Sequence, residues 1–227
     1  MSSEMPSIAE NIVHLKVSIP QGVKLIAVSK TKPAELIVEA YNAGQRAFGE
    51  NYVQEIIEKQ PLLPADIEWH FIGHLQSNKV KYIAPFVHWI HGVDSFKLLK
   101  EISKQAIKHN RTINCLLQVH IAQEESKFGF DSAALLHECE SFNPSDYPCV
   151  ALSGLMGMAS FTDDETLLRT EFRLLKSTFE MLRNGVFREM TTFRELSMGM
   201  SSDWKLAIEE GSTMIRIGSS IFGSRNQ

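Results

Sequence analysis

The 227-residue sequence is poor in cysteine, with only Cys115, Cys139 and Cys149, and no two of them form a CxxC pair. That scarcity argues against a disulfide framework and for reduced thiols in a cytoplasmic protein. An apolar run of about 18 residues, the minimum for a membrane-spanning helix, is missing, so no membrane association is expected. The first 21 residues include Glu4 and Glu10 and lack the basic-then-apolar order of a secretion signal. Basic excess is also absent: 23 Lys and Arg against 27 Asp and Glu leave a formal charge of -4, which argues against nucleic acid as a partner. The 13 glycines and 8 prolines show no period, and with 44% hydrophobic residues disorder and collagen-like structure are excluded. A single domain over residues 1–227, large enough for a substantial core, is the expectation.

Short apolar runs rich in β-formers recur along the chain. They are Leu25–Ser29, Arg46–Gly49, Trp69–Gly73, Val87–His91, Ile113–His120, Val150–Met156, Glu195–Met198 and Thr213–Gly218. Between them lie helical patterns at Pro33–Ala43, Tyr52–Lys59, Ser95–His109 and Asp131–Cys139. Thr162 to Glu165 reads as a capping box opening a long helix that stops at Gly185, and Ser202-Asp203 as the cap of a short one stopping at Gly211. Strands alternating with helices imply a parallel sheet, because parallel neighbours need crossover connections. Eight strands at about 25 residues per unit fit an α/β fold of one class, a single closed (β/α)8 TIM barrel near its lower size limit. So few residues follow Gly218 that no final helix is expected, and an extra N-terminal helix over Ser7–Val17 covers the gap. The first strand runs into Ser29-Lys30-Thr31 rather than GxGxxG, so a dinucleotide fold has no support.

In such a barrel, chemistry sits at the C-terminal ends of the strands. Lys30 ends an apolar strand, where partial desolvation favours the neutral amine that attacks an aldehyde; the plainer reading is a solvated lysine past a strand end. Ser197-Met-Gly-Met-Ser-Ser-Asp203 and Gly218-Ser-Ser220 follow the last two strands, the usual place for phosphate in a barrel. Small residues admit close approach and the hydroxyls donate, although the same residues also suit ordinary turns. Arg216, alone among isoleucines, is expected to point inward and to find a partner, either a barrel carboxylate or a ligand. Asn51, after Gly49-Glu50, suits either a ring oxygen or a turn. His70 and His74 lie four apart in a strand, not a helix, so they read as core or surface histidines and no metal site is expected.

Several motifs in register then resemble one family. Ala27-Val-Ser-Lys-Thr31, Phe48-Gly-Glu-Asn-Tyr-Val-Gln-Glu55, Trp69-His-Phe-Ile-Gly-His-Leu-Gln76, Glu124-Glu-Ser-Lys127, Gly154-Leu-Met156, Ser197-Met-Gly-Met-Ser201 and Gly211-Ser-Thr-Met-Ile-Arg-Ile-Gly218 with Ile221-Phe-Gly223 closely resemble the pyridoxal phosphate homeostasis family. The resemblance implies a barrel like the N-terminal domain of alanine racemase, carrying pyridoxal 5′-phosphate as a Schiff base on Lys30. It implies that Ser197, Gly218 and Ser219 form the phosphate cup, that Arg216 faces the pyridine nitrogen and that Asn51 lies beside the ring. An arginine there weakens the ring as an electron sink, and with so few residues after Gly218 no second domain that could supply a catalytic tyrosine is expected. The expectation is therefore a non-catalytic, monomeric protein that holds the cofactor for vitamin B6 and amino-acid homeostasis, with apoenzymes that depend on the cofactor as partners. The alternatives are an amino-acid racemase with the same cofactor and a cofactor-free Schiff-base aldolase.

Overall fold

In the computed structural model, residues 6–124 and 128–223 are described. Helix α1 (Ile8–Ser18) precedes β1 (Lys24–Val28), α2 (Ala34–Asn42), β2 (Ala47–Glu50), α3 (Val53–Lys59), β3 (Glu68–Phe71), α4 (Val80–Ile83) and β4 (Trp89–Val93). There follow α5 (Phe96–Lys108), β5 (Ile113–Gln118), α6 (Ser132–Cys139), β6 (Val150–Met156), α7 (Glu165–Asn184), β7 (Glu195–Ser197), α8 (Trp204–Glu209), β8 (Met214–Ile217) and α9 (Ser219–Phe222). The strands form a closed barrel in sequence order, and every neighbouring pair is parallel, including β1 with β8. Closure leaves no strand edge unpaired, which an open sheet of this length cannot achieve.

Alternation along the strands sorts side chains into two cores. Outward residues such as Leu25, Ala27, Phe48, Trp69 and Phe71 pack against the helices in the main cluster, while Ile26, Ala47, Leu116, Met156 and Met214 form a separate cluster inside the barrel. Each fully buried large side chain contributes roughly 1.5–3 kcal/mol. Helix α7 shows how the outer layer is built: Leu168, Phe172, Leu175, Phe179 and Leu182 recur at helical spacing and all are buried.

The ends of elements differ from expectation in several places. The long helix is capped by Asp164, whose carboxylate accepts from the Thr166 and Leu167 amides, whereas Thr162 instead accepts from the Asp164 amide. Asp bonds the first-turn amides as well as Thr does and adds a charge favourable to the helix dipole. At Asp203 the N-cap position is right, but its carboxylate bonds the Met200 amide and not the helix. The third difference is that the short chain after Gly218 does form a helical turn, α9. It is held against α1, where the Asn11 amide group donates to the Ile221 carbonyl at 3.1 Å. The N-terminal helix lies one residue later than Ser7–Val17, with Ser7 as its cap and Glu10 completing a capping box. Among the described residues no helix is long and apolar enough to cross a membrane. All three cysteines are free thiols.

Candidate functional site

The C-terminal mouth of the barrel holds a cavity of about 360 Å³. Lys30, Asn51, Arg216, Gly218 and Ser219, which the sequence places at three different strand ends, all line it. Apolar walls come from Val28, Ile72, Met158 and Met200. This combination, a few polar groups converging within apolar walls, is the usual form of a small-molecule site.

Lys30 sits on a backbone pinned on both sides. Before it, the Ser29 hydroxyl donates to Glu50 Oε1 at 2.6 Å, and Lys59 Nζ donates to the Ser29 carbonyl at 3.0 Å. After it, the Thr31 amide donates to Glu55 Oε2 at 2.8 Å, and Thr31 itself takes the left-handed conformation at φ 62°. The Lys59 ammonium, bonded to Glu50 and Glu55 at 2.9 Å each, ties these contacts together. A non-glycine residue at positive φ persists only where its surroundings hold it, and here Glu55 does so. Sequence reading missed this clamp because Ser29, Glu50, Glu55 and Lys59 are unremarkable apart, although the one-turn spacing of Glu55 and Lys59 on a helix was visible.

Burial raises the Glu50 carboxyl to about 7, against the opposing pull of the Ser29 hydroxyl and the Lys59 ammonium. Its second oxygen, Oε2, is buried with no hydrogen-bond partner among the described residues. Because the folded value lies above the ordinary 4.5, the native state holds this proton more tightly than the unfolded chain. The resulting stabilisation is complete below pH 4.5 and is lost as pH rises through 7, about 3 kcal/mol across the window. A Glu50→Gln protein lacks that dependence, so its stability relative to wild type is expected to fall as pH is lowered from 7 to 4.5. Urea titrations at both pH values check this; an unchanged gap between the two proteins contradicts it.

Arg216 points into the barrel and is 4% exposed. The groups that hold it are a hydroxyl and a carbonyl, with Nη1 donating to Ser197 Oγ at 2.6 Å and Nη2 to the Gly157 carbonyl at 3.0 Å. Burial lowers the guanidinium to about 10, with Asp203 opposing the shift. Ser197 is therefore not where the sequence reading placed it. It ends β7 with its side chain turned into the barrel, fully buried between Arg216 and His91, and it does not line the cavity. The hydroxyls at the cavity are instead Ser201, Ser202 and Ser219. The Ser201 hydroxyl already accepts from the Gly218 amide at 3.2 Å, so the loops after β7 and β8 meet there. The first amides of α9 have no intrahelical partner, as at any helix start.

Asn51 Oδ1 is buried and has no hydrogen-bond partner among the described residues. Leaving such an oxygen unpaired costs about 1–3 kcal/mol, a cost removed by any donor in the cavity. The backbone beside it is crowded: a Cβ on Gly73 would stand 2.2 Å from the Asn51 carbonyl oxygen. Gly73→Ala is thus expected to displace Asn51, lower stability by about 1–3 kcal/mol and weaken ligand binding, as urea unfolding and ligand titration would show. Of the other candidates, His70 is fully buried, whereas His74 is partly exposed, paired with Asp94 at 3.1 Å and stacked on Phe128 at 3.9 Å. The two do not converge. In the Glu124-Glu-Ser-Lys127 motif, residues 125–127 lie outside the described residues.

These features test whether a phosphorylated aromatic aldehyde fits. An amine, a pair of hydroxyl-bearing loops, a buried cation, an unsatisfied oxygen and apolar walls are what it requires, and all line one cavity. Comparison with known proteins points the same way. The family "Alanine racemase, N-terminal domain" matches residues 4–226. A pyridoxal phosphate homeostasis protein of Pasteurella multocida is 40% identical over 234 residues, covering 100% of this chain and 98% of its own. The solved structure of PipY from Synechococcus elongatus PCC7942 without PLP is 40% identical, with a TM-score of 0.89 over 96% of this chain and 100% of that one. The same protein with PLP bound gives 0.86 at 39% identity and the same coverage. An alanine racemase from E. faecalis shares the fold, with a TM-score of 0.75 at 16% identity, covering 96% of this chain and 58% of that one.

Proposed function

This chain belongs to the alanine racemase N-terminal-domain family and, within it, to the pyridoxal phosphate homeostasis proteins, and from that premise we propose that it binds pyridoxal 5′-phosphate on Lys30 and serves cofactor homeostasis without catalysing turnover. The observation that carries the reading is the convergence of Lys30, Asn51, Arg216 and the two serine-bearing loops on one cavity. When bound, the cofactor supplies an aldehyde that condenses with a primary amine, and a pyridine ring that withdraws electrons.

Lys30 contributes the amine, and the clamp of Glu50, Glu55 and Lys59 fixes the backbone from which it projects. Ser201, Ser202, Ser219 and the start of α9 are suited to the phosphate, through hydroxyl and amide donors. Val28, Ile72, Met158 and Met200 would wall the ring and exclude water. Asn51, which lines the cavity, would lie beside the ring with its side-chain amide able to donate to a ring oxygen. Arg216 would face the pyridine nitrogen as a donor, and a guanidinium could not accept the proton that a strong electron sink would place there.

The absence of turnover rests on proton bookkeeping. Racemisation removes a proton from one face of a carbon and returns one to the other, which calls for two bases. Among the described residues lining the cavity there is no carboxylate, imidazole, thiol or phenol; the amines are Lys30 and Lys32, and Lys32 Nζ donates to the Phe222 carbonyl at 3.1 Å. Partners beyond the cofactor, including apoenzymes that receive it, belong to the same proposal, as do a monomeric state and a cytoplasmic location.

Adding pyridoxal 5′-phosphate to the apoprotein should produce a saturable visible band at one equivalent. Incubation of the loaded protein with alanine in deuterium oxide should exchange the α-hydrogen no faster than free cofactor does. Exchange at catalytic rates would establish the racemase reading instead.

A further inference from the structure

The interior of the barrel contains a continuous line of hydrogen bonds that joins its two mouths. At the N-terminal mouth Lys24 Nζ and Glu68 Oε1 are 2.8 Å apart, and the same oxygen lies 3.1 Å from His70 Nε2. His70 Nδ1 is 2.9 Å from His91 Nε2, and His91 Nδ1 is 3.0 Å from Ser197 Oγ. The line ends with Arg216, whose Nη1 donates to Ser197 Oγ at 2.6 Å. Lys24 and Glu68 open β1 and β3 and line a second cavity of about 410 Å³, whereas Arg216 lines the cavity at the C-terminal mouth. The three residues between are buried completely, and the Trp89 ring stacks on His70 at 5.6 Å.

The chemistry of the two ends fixes the direction of every bond. A guanidinium only donates, an ionised carboxylate only accepts, and a neutral imidazole does one of each. Burial keeps both imidazoles neutral, lowering His70 to about 4 and His91 well below its ordinary value. Glu68, bonded to His70 and Lys24, stays ionised, its carboxyl held well below the usual range. One arrangement then satisfies all members: Arg216 to Ser197, Ser197 to His91, His91 to His70, and His70 to Glu68. Both histidines carry their proton on Nε2. The reverse direction would require an ionised carboxylate to donate, and would give the Ser197 oxygen two donors while its own hydrogen had lost His91 as acceptor.

We propose that this relay makes Glu68 and Lys24, at the far mouth of the barrel, positioning residues for Arg216, so that the charge state of the N-terminal mouth is conveyed to the guanidinium facing the ligand. Bonds in such a chain polarise one another, so an anionic acceptor at one end strengthens the pull on the donor at the other. Lys24 draws on the same carboxylate oxygen and weakens that pull. Removing the Glu68 charge and removing the Lys24 charge must therefore move Arg216 in opposite senses. The link to the cofactor rests on the reading of the C-terminal cavity given above; the relay itself does not.

The test uses the full chain. Nitrogen-15 spectra of the apoprotein should show His70 and His91 as neutral Nε2–H tautomers, and the Arg216 guanidinium resonance should shift in opposite directions in Glu68→Gln and Lys24→Met. Titration with pyridoxal 5′-phosphate should show the visible band displaced in both variants, again oppositely, with affinity in Glu68→Gln about five- to tenfold lower. Nδ1–H tautomers or imidazolium signals in the wild type overturn the relay. Shifts of Arg216 in the same direction indicate general structural damage and overturn the coupling, as does no shift at all. If the wild type forms no band with the cofactor, the reading of the cavity fails, and the nitrogen spectra of the apoprotein still decide the relay.

Discussion

A Lys30→Ala protein is expected to lose all cofactor fixed by borohydride and its visible band, while retaining the fold. Lys30 lies in the turn after β1 and lines the cavity, and its side chain is not part of the buried core, so truncation removes the amine at little structural cost. What remains are the serine-bearing loops, and these should still bind phosphate compounds reversibly. A second variant separates the two contributions. Ser201→Ala removes one hydroxyl from the cavity and, with a charge-assisted hydrogen bond contributing about 1.5–3 kcal/mol, should weaken affinity by at least about tenfold while leaving the trapped residue unchanged. Loss of the band in Ser201→Ala but not in Lys30→Ala would reverse the assignment.

Lys59→Met is expected to lower stability by about 1–3 kcal/mol in urea unfolding at pH 7. Lys59 is 12% exposed and donates to the Ser29 carbonyl and to two carboxylates, so its removal takes the donor from all three, while Glu50, whose carboxyl already lies at about 7, takes up a proton in its place. The cost should shrink on acidification, because a protonated Glu50 needs no cation. A stability loss of below about 1 kcal/mol would mean that the clamp is no more than a surface ion pair. Loss of the clamp also frees the backbone around Lys30, so cofactor trapping in this variant should slow even where the protein remains folded.

The sequence carries the barrel clearly because its signal is repeated. Eight apolar runs alternating with helical patterns admit few arrangements other than a closed parallel sheet, and the register later confirms each neighbour pair. Lys30, Asn51, Arg216, Gly218 and Ser219 are legible as a group for a related reason: strand ends in a barrel converge, so residues far apart in sequence share one mouth. Ser197 shows where that argument stops. It shares a loop motif with Ser201, but it is the last residue of β7, and whether a strand-terminal side chain faces the mouth or the barrel interior depends on a register that one sequence does not reveal. The capping error at Thr162 has the same character, since Thr162 and Asp164 are both competent caps two residues apart. Neither the clamp nor the interior relay was legible. Both are assembled from residues on different strands and helices, and a buried histidine looks the same in sequence whether it packs passively or passes a hydrogen bond onward.

The most direct test of the central claim is peptide mapping of the purified protein after pyridoxal 5′-phosphate is added and fixed with borohydride. The account predicts one equivalent of cofactor on the peptide containing Lys30. Cofactor on another lysine in the wild type, or none at any lysine, would contradict it.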